Sequence, residues 1–311
     1  MQFTPQVWPS ALNQGTPCPG TTEALVATPP APAASSQLCH RDDASGVWLY
    51  HGDCLDLLDA IAAKHADGAF DMIFADPPYF LSNGGMTCRS GRRVSVDKGG
   101  WDGSGGLQAD HEFNLAWLRR CQRVLKPNGT IWVTGTFHSI FSVGFALKQL
   151  GFRILNDITW EKPNPPPNLS CRCFTHSTET LLWAARSDRS AYTFNYDQMR
   201  QVAGGRQMQS VWTFPGPPPA EKACGEHPTQ KPLALVLRCL LAATQPGDRV
   251  LDPFLGSGTT ALACVRTQRR CAGIDTDLDY VRLAAARVRA EVGRGSDLFA
   301  PPLESSGPPL V

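Results

Sequence analysis

Apolar and polar positions along this chain follow two periods, and the pattern switches between them repeatedly. Val47-Trp48-Leu49-Tyr50 is an apolar run of strand length, and Cys54–Lys64 carries apolar residues at helical spacing. Phe70–Ala75 is a near-continuous apolar run ending at Asp76, the form expected of a strand covered on both faces. Gly and Ser dominate residues 81–106, which predicts a long loop. A helix is expected over 110–125, stopped by Lys126-Pro127-Asn128-Gly129. Residues 130–135 then read as a strand, 140–150 as a helix, and 152–162 and 180–185 as strands. The alternation lapses over 187–226, where Gly204-Gly205, Pro215 and the prolines at 217–219 interrupt it. It resumes with a helix over 232–244, a strand at 250–251, a helix over 259–267, a strand over 271–274 and a helix over 278–292.

Alternating β and α units predict a mostly parallel sheet with helices on both faces. The two ends of the chain do not share the pattern. Residues 1–40 are rich in Pro, Ala, Thr and Ser without periodicity, so a disordered or loosely packed leader is expected there. Residues 295–311 read as a flexible tail, which leaves one domain over 41–294.

Composition changes this picture little. Hydrophobic residues make up 42% and charged residues 18% of the 311, a globular balance. No apolar run approaches the ~20 residues of a membrane span, and no cationic start precedes an apolar stretch, so a cytoplasmic protein away from the membrane is expected. The eleven cysteines include no C-x-x-C pair and no zinc-ligand spacing, so no metal is expected and the thiols suit a reducing compartment. A formal net charge of +1 does not mark a nucleic-acid binder, so affinity for one must come from local clusters. Two stand out, with ordinary solvated surface as the reading that composition alone favours for both: Arg89, Arg92, Arg93 and Lys98 in the glycine-rich loop, and Arg119, Arg120, Arg123 and Lys126 along the helix that follows.

Two constellations carry chemistry. Asp252-Pro253-Phe254-Leu255-Gly256-Ser257-Gly258-Thr259-Thr260 follows a strand and opens a helix, where glycines allow close backbone approach and the helix start offers unpaired N–H groups. Asp275 closes the next strand, roughly 20 residues on, the usual place of a carboxylate that accepts ribose hydroxyls. No lysine follows the glycines as in a phosphate loop, which points to a nucleoside ligand without phosphates and fits S-adenosylmethionine. The second constellation is Asp76-Pro77-Pro78-Tyr79, directly after the strand at 70–75. Its two prolines stiffen the turn, and a carboxylate beside a backbone carbonyl can accept both hydrogens of an exocyclic amino group. The adjoining aromatic ring can stack on an extruded base. A plain capped turn is the competing reading of the tetrapeptide alone.

These segments resemble the amino-methyltransferase family of DNA methyltransferases. Asp76-Pro77-Pro78-Tyr79 matches the family's catalytic motif, and 252–260 resembles its cofactor loop. His227-Pro228-Thr229-Gln230-Lys231-Pro232 resembles the segment that precedes that loop. The resemblance covers about residues 45–292. It implies a Rossmann-like S-adenosylmethionine-dependent fold with a seven-stranded sheet, in a circularly permuted β arrangement: catalytic half 45–186, target-recognition region 187–226, cofactor half 227–294. Carried over by residue, it implies that Asp76 and the Pro77 carbonyl bind the target amino group, with Pro78 stiffening the loop and Tyr79 stacking on the flipped base. Asp252, Phe254, Gly256, Ser257, Gly258, Thr259 and Thr260 would line the cofactor, Asp275 would hold its ribose, Asp53 would sit near its adenine, and Lys231 and Pro232 near its methionine end. For Asp53 a helix N-cap is the competing reading. Arg89, Arg92, Arg93 and Lys98 would close over double-stranded DNA, and Arg200 and Arg206 would contact it from the recognition region, with plain solvent exposure as the alternative for the last two.

In the family, Asp in the first motif position accompanies adenine N6 and Ser accompanies cytosine N4, although a carboxylate could serve either base. Relatives acting on RNA or protein glutamine carry Asn first and place the cofactor loop first, which this chain does not. A non-catalytic DNA-binding subunit is the remaining class. Dimers occur in the family, and a cognate restriction endonuclease acting separately is a partner that it admits. Neither is written in these residues.

Overall fold

The computed structural model describes residues 37–81, 86–89, 92–95 and 102–294. Residues 1–36, 295–311 and Lys98 lie outside them. Residues 37–40, expected to belong to a leader ending at 40, are instead part of a strand, β1 (Gln37–Asp42). None of its residues is buried, so it shows no hydrophobic period to the reader of the sequence.

The chain continues through β2 (Val47–His51), α1 (Cys54–Lys64), β3 (Phe70–Ala75), β4 (Met86–Arg89), β5 (Arg92–Ser95) and α2 (Leu107–Val124). It then forms β6 (Leu125–Gly135), α3 (Ile140–Gln149), β7 (Arg153–Glu161), β8 (Thr178–Ala185), α4 (Tyr196–Val202) and β9 (Val211–Thr213). The last third holds α5 (Leu233–Ala243), β10 (Arg249–Asp252), α6 (Thr259–Arg266), β11 (Arg270–Asp275) and α7 (Leu278–Gly293). The expected loop over 81–106 therefore contains an antiparallel hairpin, β4–β5, in which Arg89 lies opposite Arg92 and Cys88 opposite Arg93.

One sheet runs in the order β1-β2-β11-β10-β3-β6-β8-β7-β9. It has nine strands: the seven expected ones and an edge strand added at each side, β1 and β9. β9 is three residues long with only Trp212 buried, too short to carry a period. β2, β11, β10, β3 and β6 are parallel, and β8 runs against both of its neighbours. The parallel strands are buried on both faces, which is why they read as unbroken apolar runs. In β3, Met72 and Phe74 pack into the core shared with α5, α6 and α7, while Ile73 and Ala75 pack into the core shared with α1, α2 and α3.

The predicted helix stop at Lys126-Pro127-Asn128-Gly129 is built differently. The β3–β6 register jumps from Phe70 opposite Leu125 to Met72 opposite Thr130, so the four residues bulge out of the ladder at the base of β6. Pro127 has no N–H to donate there, and Lys126 turns back to Asp71 at 2.8 Å.

The position of the site follows from the topology. From β10 the chain passes to β11 through α6 on one face, and from β3 it passes to β6 through α2 on the other. The carboxyl ends of β10 and β3, adjacent in the sheet, therefore face an open crevice. Among the described residues no helix is long and apolar enough to cross a membrane.

Candidate active site

A cavity of about 250 Å³ occupies that crevice. Its walls bring together the segment after β3, the segment after β10, the end of β11 and the stretch at 227–231. Asp76, Pro77, Pro78 and Tyr79 all line it, so this tetrapeptide and the glycine loop share one chamber.

Asp76 is held from three elements. Its Oδ1 accepts from the Tyr79 hydroxyl at 2.8 Å and from the Thr134 hydroxyl of β6, and its Oδ2 accepts from Lys231 Nζ at 2.6 Å. Burial pushes the Asp76 carboxyl up, but the Lys231 charge and the bonds from Lys231, Thr134 and Tyr79 outweigh it and hold the group below the usual carboxylate range. The Tyr79 hydroxyl also lies 3.2 Å from Glu179 Oε2 of β8, and Glu179 pairs with Lys162. Burial and the charges of Asp76 and Glu179 push the Tyr79 phenol well above its ordinary value, so it stays protonated. Thr134, Glu179 and Lys162 escaped sequence reasoning because each stands alone in or beside a strand, without a motif.

Asp102 was missed for the same reason. It is buried, and its carboxylate accepts the backbone N–H of Tyr79 at 2.8 Å, of Phe80 at 2.9 Å and of Leu81 at 3.3 Å. Phe80 has a φ of 59°, a left-handed conformation that a bulky residue adopts only when its surroundings impose it.

The glycine loop divides into residues that face the cavity and residues that build it. Asp252, Phe254, Gly256, Ser257, Thr259 and Thr260 line the cavity. Asp252 ties the turn together, accepting from Phe254 N at 3.0 Å and from Thr260 Oγ1 at 2.6 Å. Burial pushes its carboxyl up to about 7. Gly258 does not line the cavity, contrary to expectation. It caps α6 at φ 76°, and a Cβ there would stand 2.5 Å from the Ala284 Cβ, so this glycine lets α6 close onto α7. Pro232 also lies off the cavity wall, at the N-cap of α5. Buried Arg287 of α7 supports the loop from behind, donating to the Ser257 carbonyl at 2.6 Å and the Thr259 hydroxyl at 3.2 Å.

Asp275 accepts from Gly256 N at 2.7 Å through one oxygen and from Asp277 N at 2.9 Å through the other, leaving each oxygen a lone pair for a ligand hydroxyl. Asp53 caps α1 by accepting from Leu55 N at 2.7 Å, as the N-cap reading expects, and it also lines the cavity. Among the described residues, six aspartates line the chamber against one lysine, Lys231, and no arginine. That donor set suits a hydroxyl-bearing, positively charged nucleoside and would repel phosphates, so the residues fit S-adenosylmethionine.

The basic residues are dispersed. Arg89, Arg92 and Arg93 sit on the β4–β5 hairpin, in the chain between the catalytic tetrapeptide and Asp102. Arg200 is exposed and donates through Nε to the Gly205 carbonyl at 2.6 Å, bracing the end of α4, and Arg206 is exposed. The α2 cluster is largely internal in purpose: Arg120 and Arg123 pair with Asp59 of α1 at 2.8 and 2.6 Å. Only Arg119 of that group is exposed without a pairing role.

Comparison with known proteins agrees with this geometry. Residues 70–286 match the N6/N4 methyltransferase family, described as DNA methylase. The chain is 52% identical over 244 residues to the type II methyltransferase M2.DpnII of Streptococcus pneumoniae, covering 78% of this chain and 90% of that protein. It is 46% identical over 239 residues to the type II methyltransferase M2.MboI of Moraxella bovis, covering 77% and 86%. Among solved structures it resembles the M1.HpyAVI–SAM complex, with a TM-score of 0.60, 27% identity and coverage of 78% and 98%. The cytosine-N4-specific PvuII DNA methyltransferase shares the fold at 18% identity, with a TM-score of 0.61 and coverage of 80% and 92%. The chain belongs to the N6/N4 methyltransferase family of DNA methylases.

Proposed function

We propose that this chain methylates the N6 amino group of an adenine flipped out of double-stranded DNA, as the modification enzyme of a type II restriction-modification system. One observation carries the reading: the Asp76 carboxylate stands ionised in the same acidic chamber as the glycine loop and Asp275. S-adenosylmethionine supplies an electrophilic methyl group on a sulfonium. Asp275 would hold its ribose hydroxyls and Asp53 its adenine end, with Phe254 and the Gly256–Thr259 backbone forming its bed.

The chain's own tasks are positioning and charge. Asp76 and the Pro77 carbonyl each accept one hydrogen of the target amino group, turning its lone pair away from the ring. The nitrogen sheds one hydrogen as it gains the methyl, and the ionised Asp76 is the acceptor placed to take that proton. No covalent enzyme intermediate is needed. The target must leave the duplex because its amino group is otherwise paired, and Tyr79 on the cavity wall would stack on it. The arginines of the β4–β5 hairpin and Arg200 and Arg206 would contact DNA around the opening. The order of catalytic strand β3 before cofactor strand β10 supports a circularly permuted β arrangement. A cognate endonuclease acting separately is the partner implied by similarity to type II methyltransferases.

Adenine is favoured over cytosine by Asp76 in the first motif position. The test is mass spectrometry of nucleosides from duplex DNA incubated with the enzyme and S-adenosylmethionine. N6-methyladenine is expected, and N4-methylcytosine alone would move the target to the other base.

A further inference from the structure

Lys231 connects the two halves of the chamber. Its backbone carbonyl accepts from the Thr259 hydroxyl of the cofactor loop at 3.3 Å, while its side chain reaches Asp76 Oδ2 at 2.6 Å. The side chain is only 6% exposed, and its Nζ lies 3.8 Å from Glu179 and 5.1 Å over the Tyr79 ring. An ammonium buried to this degree is held by the carboxylates around it.

The surroundings of Asp76 explain why a cation is required. Asp76 bonds to Tyr79 from its own segment and to Thr134 from β6, it shares a charge interaction with Asp252 at the end of β10, and Glu179 of β8 lies on the other side of the Tyr79 hydroxyl. Tyr79 and Thr134 are neutral donors, and the other two are acids. Lys162, the residue after β7, is spent on Glu179. Among the described residues, Lys231 is therefore the cation in direct contact with Asp76. Without it, a buried carboxylate beside two other carboxylates would take up a proton. A protonated Asp76 would place a donor where the target amino group needs an acceptor.

We infer that Lys231 is a positioning residue for methyl transfer, keeping the Asp76 carboxylate charged and turned to receive the amino group. This rests on the reading of Asp76 as the amino-group acceptor. It differs from the role implied by resemblance, in which Lys231 serves the methionine end of the cofactor. The two separate in kinetics, because a cofactor contact acts on affinity for S-adenosylmethionine and a positioning contact acts on kcat and its pH dependence.

The test uses the full chain on duplex DNA, with kcat followed from about pH 5.5 to 9 for the wild type, Lys231→Met, Lys231→Arg and Asp76→Ala, and cofactor affinity measured by calorimetry. Lys231→Met should lose roughly 100-fold in kcat at neutral pH. The acid limb of its profile should move up by about one pH unit or more, with cofactor Kd changed less than about threefold. Lys231→Arg keeps a cation and should recover part of kcat with the wild-type acid limb. An unmoved acid limb in Lys231→Met, or a loss confined to cofactor affinity, overturns the inference. If Lys231→Met does not fold, Lys231→Arg decides: a wild-type limb supports the role, and a limb moved up overturns it. Should Asp76→Ala remain active, the reading of Asp76 itself fails. Should it be inactive while Lys231→Met keeps the wild-type profile, only the role of Lys231 fails.

Discussion

Asp102 accepts the backbone N–H of Tyr79 at 2.8 Å, although the two residues lie on opposite sides of the β4–β5 hairpin in the chain. The same carboxylate takes the next two N–H groups, so the backbone after the Asp76–Tyr79 tetrapeptide is pinned at Tyr79–Leu81. The left-handed Phe80 is the backbone cost of turning three N–H groups toward one acceptor.

Asp102→Ala leaves those three donors without their acceptor in a buried place. A loss of about 2–4 kcal/mol in unfolding free energy is expected by urea titration. kcat should fall with little change in cofactor Kd, because Asp102 supports Tyr79 and not the glycine loop. An Asp102→Ala protein with wild-type kcat would show that the clamp does not position the catalytic loop.

Gly258→Ala should be destabilising for two reasons that add. The residue sits at φ 76°, and its new methyl would meet the Ala284 Cβ at 2.5 Å on α7. On the order of 2–4 kcal/mol is expected by denaturant titration, with weakened cofactor binding because α6 carries the loop. A neutral substitution would mean that α6 and α7 separate more easily than their packing implies.

Asp252 makes stability depend on pH in a defined direction. Its folded value is raised to about 7 from an ordinary 3.8, so the fold favours the protonated acid. Its contribution is therefore greatest below about pH 4 and is lost as pH rises toward about 7. Asp252→Asn, which retains an acceptor for Phe254 N, should flatten the pH dependence of the urea midpoint across that window. An unchanged slope would remove Asp252 as its source.

Much of the fold was legible because buried parallel strands announce themselves: β3 and α1 begin and end where the sequence predicts. The edge strands were not legible, since β1 buries nothing and β9 only Trp212. The hairpin β4–β5 lies in a glycine- and arginine-rich stretch with no apolar alternation to mark it. At the site, Asp76, Asp252 and Asp275 were readable because they occupy motifs. Thr134, Glu179 and Asp102 were not, because their function comes from converging on Tyr79 and Asp76 in space. Gly258, expected beside the ligand, packs α6 onto α7 off the cavity wall, and a glycine that lets a ligand approach looks in sequence like one that lets a helix approach.

The most direct measurement compares wild type with Asp76→Ala for methyl transfer to duplex DNA, with S-adenosylmethionine binding followed by calorimetry on the same preparations. Glu179, 3.8 Å from Lys231, is the carboxylate left beside that ammonium once Asp76 is removed. Methyl transfer should fall by at least about 100-fold while cofactor binding is retained within a few-fold. A variant that binds cofactor and still methylates DNA at near the wild-type rate would contradict the role of Asp76 as the acceptor of the target amino group.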